Sequence, residues 1–173
     1  IQIPEVSGSK AATWARPIAE GVILGAYRFT RYLTGDRRPK VELTKATLHL
    51  AGSKRKVTDA ETSAATLGVA IGEAVCIARD LQNEPPNEMT PAALAQAAAS
   101  VAKTHGLKAT VLDRKGLERA GMKLFVAVGQ GSANEPRFVH MTYAPARKAK
   151  KKVVLVGKGI TFDTGGISIK PSA

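Results

Sequence analysis

The stretch from Val153 to Pro171, VVLVGKGITFDTGGISIKP, constrains the fold more than any other part of the chain. It opens on four consecutive apolar residues, Val153 to Val156, the pattern of a strand buried on both faces in a parallel sheet. Gly157 ends that run. Gly159, Gly165 and Gly166 permit tight turns or a close approach of backbone to ligand. Lys158, Asp163 and Lys170 are charged groups set in this otherwise apolar, glycine-rich run. Open α/β folds bind ligands beyond the C-terminal ends of central strands, so charges at that place point to chemistry.

Upstream, helical and extended patterns alternate. Ile18, Val22, Ala26 and Phe29 recur at helical spacing. They predict a helix capped by Ser9 or Thr13, with Pro17 in its first turn and its end near Leu33. Gly21 and Gly25 lie four apart within it and would let another element pack closely. Thr44 to Leu50 alternates and reads as a strand with His49 on its polar face. No second ligand stands at metal-site spacing from His49, so it reads as a surface histidine. Thr58 and Glu61 form a capping box for a long helix that ends near Leu81.

Pro85 and Pro86 prevent further helix. Thr90 and Pro91 cap and start the next one, which runs to about His105 and is closed by Gly106. Lys108 to Leu112 reads as a strand, and Asp113 to Ala120 as a short helix. Leu124 to Val128 is a further apolar stretch. Gly129 and Gly131 begin like a dinucleotide fingerprint, but Asn134 stands where the third glycine belongs, so the signal for nucleotide binding is weak. Arg137 to Tyr143 alternates as a strand, and His140 reads as a packed or partly exposed strand residue. The connection from there to Val153 is too short for a helical crossover, so the two strands are expected to pair antiparallel. The class is α/β, with a mixed sheet flanked by helices.

The net charge of +12 invites a nucleic-acid reading. The charge is gathered at Arg37 to Lys40, Lys54 to Lys56 and Arg147 to Lys152, all in connections between apolar segments. No aromatic residues interleave with these clusters as they do in a single-strand stacking platform. Solvated loops are the simpler reading. No apolar run approaches the roughly 18 residues of a membrane span. Ile1 to Lys10 lacks the charged and then apolar pattern of a secretory signal. The single Cys76 cannot form an internal disulfide and reads as a small core residue in a reduced compartment.

The segment VGKGITFDTGGISIKP resembles the signature of the leucyl aminopeptidase family, the two-metal M17 cytosol aminopeptidases. A second block, ARDLQNEPPNEMTP at Ala78 to Pro91, is similar to the segment that opens the family's catalytic domain. AEGVILGAYRFTRY resembles the last helix of its N-terminal domain. The resemblance implies that residues 1–56 are the C-terminal part of the N-terminal domain. Residues 57–173 would be the linker helix and the N-terminal part of the metallopeptidase catalytic domain.

It also implies two divalent metal ions, Zn2+ or Mn2+, with Asp163 as a bridging ligand and Lys158 as a ligand to one metal. A lysine ligates only as the neutral amine. Removing the proton from an ordinary lysine at pH 7 costs roughly 4.6 kcal/mol, which binding of a divalent cation can supply. Lys170 would be the catalytic residue, its ammonium stabilising the developing oxyanion. Peptide substrates with apolar, Leu-like N-terminal residues, a homohexamer and a cytoplasmic location follow from the same resemblance. The family's further ligands, two aspartates and a glutamate, and its arginine lie downstream of the position matching Ala173. The chain alone is therefore expected to be inactive. Two alternatives stand beside this reading: a DNA-binding role of the parent protein through the basic clusters, and a non-catalytic structural homologue.

Overall fold

In a computed structural model the chain is described over residues 2–3, 11–50, 56–147 and 150–161. It divides into two compact units, residues 1–83 and 84–173. Both strand senses occur, in separate two-stranded ladders among helices, so the α/β class with mixed pairing holds.

In the first unit, β1 (Gln2–Ile3) pairs parallel with β2 (His49–Leu50), and α1 (Ala11–Ala26) lies in the crossover between them. A parallel pair requires such a long connection. The strand expected over Thr44 to Leu50 shrinks to its last two residues. The helix α1 packs against α2 (Asp59–Asn83). Ala15 and Ala19 of α1 are buried, and Gly68 and Gly72 of α2 face that helix. A Cβ on Gly68 would overlap the Arg16 carbonyl oxygen, and one on Gly72 would lie 2.8 Å from Ile23 Cβ. The close approach is thus made by the glycines of α2. Gly21 and Gly25, expected to make it, have nothing within 4 Å of a built Cβ.

Three local expectations for α1 also change. Thr13 lies inside the helix rather than at its cap, and Pro17 sits well past the first turn. Packing of Ala15 and Ala19 on α2 outweighs the proline's missing N–H. The helix ends at Ala26 rather than near Leu33. There the Arg28 guanidinium donates to the Tyr27 carbonyl at 2.8 Å and to the Gly25 carbonyl at 3.3 Å. The Tyr27 side chain is drawn to α2, and a turn closes from Leu33 N–H to the Thr30 carbonyl at 3.0 Å.

The start of α2 follows its sequence signal. Thr58 N–H and its hydroxyl each donate to Glu61 Oε2 at 2.9 Å, and Glu61 N–H donates to Thr58 Oγ1 at 3.3 Å. This reciprocal box satisfies donors that the first turn leaves without helical partners. Glu61 is buried.

The second unit begins with a turn over Pro85 to Met89, in which Glu88 and Met89 N–H both donate to the Pro85 carbonyl at 2.9 Å. Then follow α3 (Pro91–Thr104), β3 (Lys108–Leu112), α4 (Arg114–Arg119), α5 (Lys123–Val128) and β4 (Phe138–Thr142). Thr90 Oγ1 accepts from Ala93 N–H at 3.3 Å with Pro91 at the first helical position. At the other end Gly106 takes φ +66°, and Leu107 N–H reaches back to the Ala102 carbonyl at 2.8 Å. Only glycine enters that left-handed region freely. Asp113 Oδ1 caps α4 by accepting from Gly116 N–H at 2.7 Å. Leu117 of α4 is fully buried, and Phe125 meets Phe138 edge-on at 6.1 Å.

β3 and β4 pair antiparallel from Lys108↔Thr142 to Leu112↔Phe138. The expected pairing of the 137–143 strand with Val153 to Val156 does not form, because residues 153–156 are not in a strand. That apolar run is extended coil, with Leu155 and Val156 each 93% exposed. Four consecutive apolar residues suit a central strand with partners on both edges and cover on both faces. The described residues supply neither, whereas β3 offers β4 a matched five-residue ladder.

Candidate functional site

Of the three residues singled out for chemistry, Lys158 alone falls within the described residues; Asp163 and Lys170 lie outside them. Lys158 is exposed, in a segment without regular secondary structure over 152–160. It makes no hydrogen bond or ion pair among the described residues. The backbone just after it is not free. A Cβ on Gly159 would lie 3.1 Å from Leu94 Cδ2, so the turn rests against the first part of α3.

No described group of three or more His, Cys, Asp or Glu side chains could hold a metal ion. His49 is exposed, as a surface reading requires, and His140, expected to be packed or partly exposed, is exposed as well. His140 Nε2 has only the Thr142 hydroxyl near it, at 3.5 Å. The ligands that the resemblance implies are the Lys158 amine and the carboxylate of Asp163, the latter outside the described residues. This donor set is chemically suited to divalent cations: an amine and a hard, two-oxygen ligand.

The other motifs resolve into local structure. Gly129 is the C-cap of α5, and a Cβ there would lie 3.0 Å from Pro136, so this turn packs on protein and is no open phosphate cradle. Ser132 Oγ accepts from Asn134 N–H at 3.1 Å. Arg38 Nε donates to the Leu33 carbonyl at 2.8 Å, so one member of the first basic cluster ties its own loop. Cys76 is a half-buried free thiol on α2.

Sequence reasoning missed two features. Leu94 was one apolar residue among many in α3, and nothing in the sequence pairs it with Gly159. The groove of about 570 Å3 along Gly21, Val22 and Gly25, facing Pro39, Val41 and Leu43, arises only because α1 turns its glycines away from α2. The charged groups along it are Arg28 and Glu42, which form no catalytic constellation. No helix among the described residues is long and apolar enough to cross a membrane.

The profile of the cytosol aminopeptidase family, catalytic domain, matches residues 76–173. A probable cytosol aminopeptidase of Persephonella marina is 43% identical over 157 residues, covering 91% of this chain and 30% of that protein. One of Mycobacterium leprae is 42% identical over 176 residues, covering 99% of this chain and 33% of that protein. The chain thus spans about a third of the length of the curated relatives it matches. Among solved structures, the bottromycin maturation enzyme BotP in complex with Mn superposes with a TM-score of 0.77 at 40% identity, covering 98% of this chain and 33% of that one. A tomato leucine aminopeptidase mutant gives 0.65 at 29% identity, covering 93% and 32%. With the family's catalytic-domain profile matched over more than half its length, the chain belongs to the M17 cytosol aminopeptidase family.

Proposed function

We propose that this chain is part of a metal-dependent aminopeptidase that removes N-terminal residues, preferably apolar and Leu-like ones, from peptides in the cytoplasm. The observation that carries the reading is the catalytic-domain match over 76–173, which contains Lys158, Asp163 and Lys170 together. The Mn complex of the similar BotP structure supports a metal requirement. On this reading residues 57–173 are the linker helix and the first part of the catalytic domain, after an N-terminal domain ending near Lys56. A hexameric parent is the assembly the resemblance suggests.

When bound, two divalent cations, Zn2+ or Mn2+, polarise the scissile carbonyl and supply a nucleophile at neutral pH. Lys158 would serve as a ligand to one of them through its neutral amine, and Asp163 would contribute its carboxylate as the ligand shared between them. Lys170 keeps its proton. Its ammonium donates hydrogen bonds to the oxygen on which negative charge develops, an interaction stronger in the transition state than in the ground state. None of the observations favours the nucleic-acid reading over this one.

The test is hydrolysis of leucyl anilide by the intact parent protein. Activity lost on chelation and restored by Mn2+ or Zn2+ is expected. A metal-loaded parent that hydrolyses no aminoacyl anilide would overturn the proposal. The intact mass of the parent should come first. A mass near three times the 18.2 kDa of this chain leaves room for the remaining ligands.

A further inference from the structure

The segment that carries Lys158 has no ladder among the described residues, so its contacts with neighbouring side chains matter. One of them is with α3. The start of that helix is held by three local devices. Pro91 presets the first helical φ, Thr90 Oγ1 accepts from Ala93 N–H at 3.3 Å, and Leu94 N–H donates to the Thr90 carbonyl at 2.9 Å. Further along, Ala95 and Ala102 are buried, and the helix lies against both β3 and β4. Leu94 therefore stands on one of the better anchored parts of the second unit. Its Cδ2 lies 3.1 Å from where a Gly159 Cβ would be, so this methyl group stands close beside the backbone next to Lys158. No side chain longer than that of glycine fits at 159 without moving Leu94.

We infer that Leu94, itself no ligand, is the positioning residue for Lys158: it closes on Gly159 and fixes the turn from which the Lys158 amine serves a divalent cation. The inference rests on the proposed role of Lys158. Metal affinity is sensitive to groups that orient a ligand without touching the metal, at about 10–100-fold per residue. A site is set by the rigidity of what stands behind it.

The experiment is Mn2+ titration of the intact, metal-stripped parent protein by competition with a chelating dye, alongside the thermal midpoint of the apo-protein. The variants are Lys158→Ala, Leu94→Ala, Leu94→Met, Gly159→Ala and the Leu94→Ala/Gly159→Ala pair. Lys158→Ala and Leu94→Ala should each weaken Mn2+ binding by about tenfold or more, and Leu94→Met should restore it. Gly159→Ala should weaken binding alone and less so when Leu94 is also truncated, because the pair shares one space. Weakened binding by Lys158→Ala with wild-type binding by Leu94→Ala overturns the inference and leaves the Lys158 assignment standing. Wild-type binding by Lys158→Ala overturns both. If Leu94→Ala fails to fold, Leu94→Met and Gly159→Ala decide: Gly159→Ala binding Mn2+ as tightly as the wild type, with an unchanged apo midpoint, overturns the inference.

Discussion

The Tyr27 hydroxyl donates a 2.8 Å hydrogen bond to Asp80 Oδ1, joining the first residue after α1 to the last part of α2. Asn83 Nδ2 donates to the same hydroxyl at 3.0 Å, and the Arg79 guanidinium lies 5.5 Å from the ring centroid. Asp80 stands near a helix C-terminus, where a carboxylate is disfavoured by the helix dipole. The phenol and the guanidinium offset that placement. Partial desolvation, and then the Asp80 hydrogen bond, hold the Tyr27 phenol above its ordinary value of 10.0.

A raised phenol means that the folded state keeps its proton more tightly than the unfolded chain. The contribution to stability is therefore complete below the unfolded value near 10 and is lost as pH rises through the higher folded value. Urea titrations of the 173-residue chain between pH 8 and 11 should show this alkaline loss. Tyr27→Phe should lower stability at neutral pH and flatten the loss. An unchanged alkaline slope in Tyr27→Phe would rule the linkage out.

Glycine to alanine substitutions should change sign between the two helices of the first unit. Gly72→Ala places a methyl 2.8 Å from Ile23 Cβ and should cost about 1–3 kcal/mol through overpacking, despite alanine's better helix propensity. Gly21→Ala meets nothing within 4 Å and should gain about 0.5–1 kcal/mol. Chemical denaturation of both variants gives the comparison directly. Equal effects would mean that the two helices do not meet at Gly72.

Thr58→Ala removes the hydroxyl that both accepts from Glu61 N–H and donates to its carboxylate. A loss of about 0.5–2 kcal/mol is expected. Hydrogen exchange should localise it to the first turn of α2. Thr58→Ser should retain most of the stability.

Pro17→Ala should stabilise the chain. It restores an N–H inside α1 and removes the crowding that a helix-interior proline ring imposes on the carbonyl four residues before it, with up to about 3 kcal/mol available. A thermal midpoint that falls instead would show that Pro17 packs usefully where it stands.

On the proposed catalytic reading, Lys170→Ala in the parent should lower kcat by about 10²–10³-fold. Because the ammonium acts on charge that develops only in the transition state, KM for leucyl anilide should stay nearly constant. An equal loss confined to KM would assign Lys170 to substrate binding instead.

Where helices start was legible from the sequence wherever a cap had a local mechanism. Thr58 with Glu61 and Thr90 with Pro91 each satisfy backbone donors within four residues of themselves, so no distant partner was needed to recognise them, whereas Asp113, read as part of its helix, is its cap. The strands at Lys108 to Leu112 and Phe138 to Thr142 were legible from their residue types and alternation. The family was legible because its signature packs Lys158, Asp163 and Lys170 into one short run.

Tertiary structure alone decided what faces what. Alternation marks a strand without naming its neighbour, so β4 could be assigned to Val153 to Val156 when its partner is β3. Spacing shows that glycines lie on one helical stripe, but Gly21 with Gly25 and Gly68 with Gly72 have the same spacing, and only the contact with Ile23 and Arg16 distinguishes them. The end of α1 was decided by Asp80 and Asn83, more than fifty residues away, which draw Tyr27 out of line. The resting place of Gly159 on Leu94 is of the same kind. Capping and turn energies act over a few residues and are written locally, whereas packing joins residues whose separation along the chain carries no information about their contact.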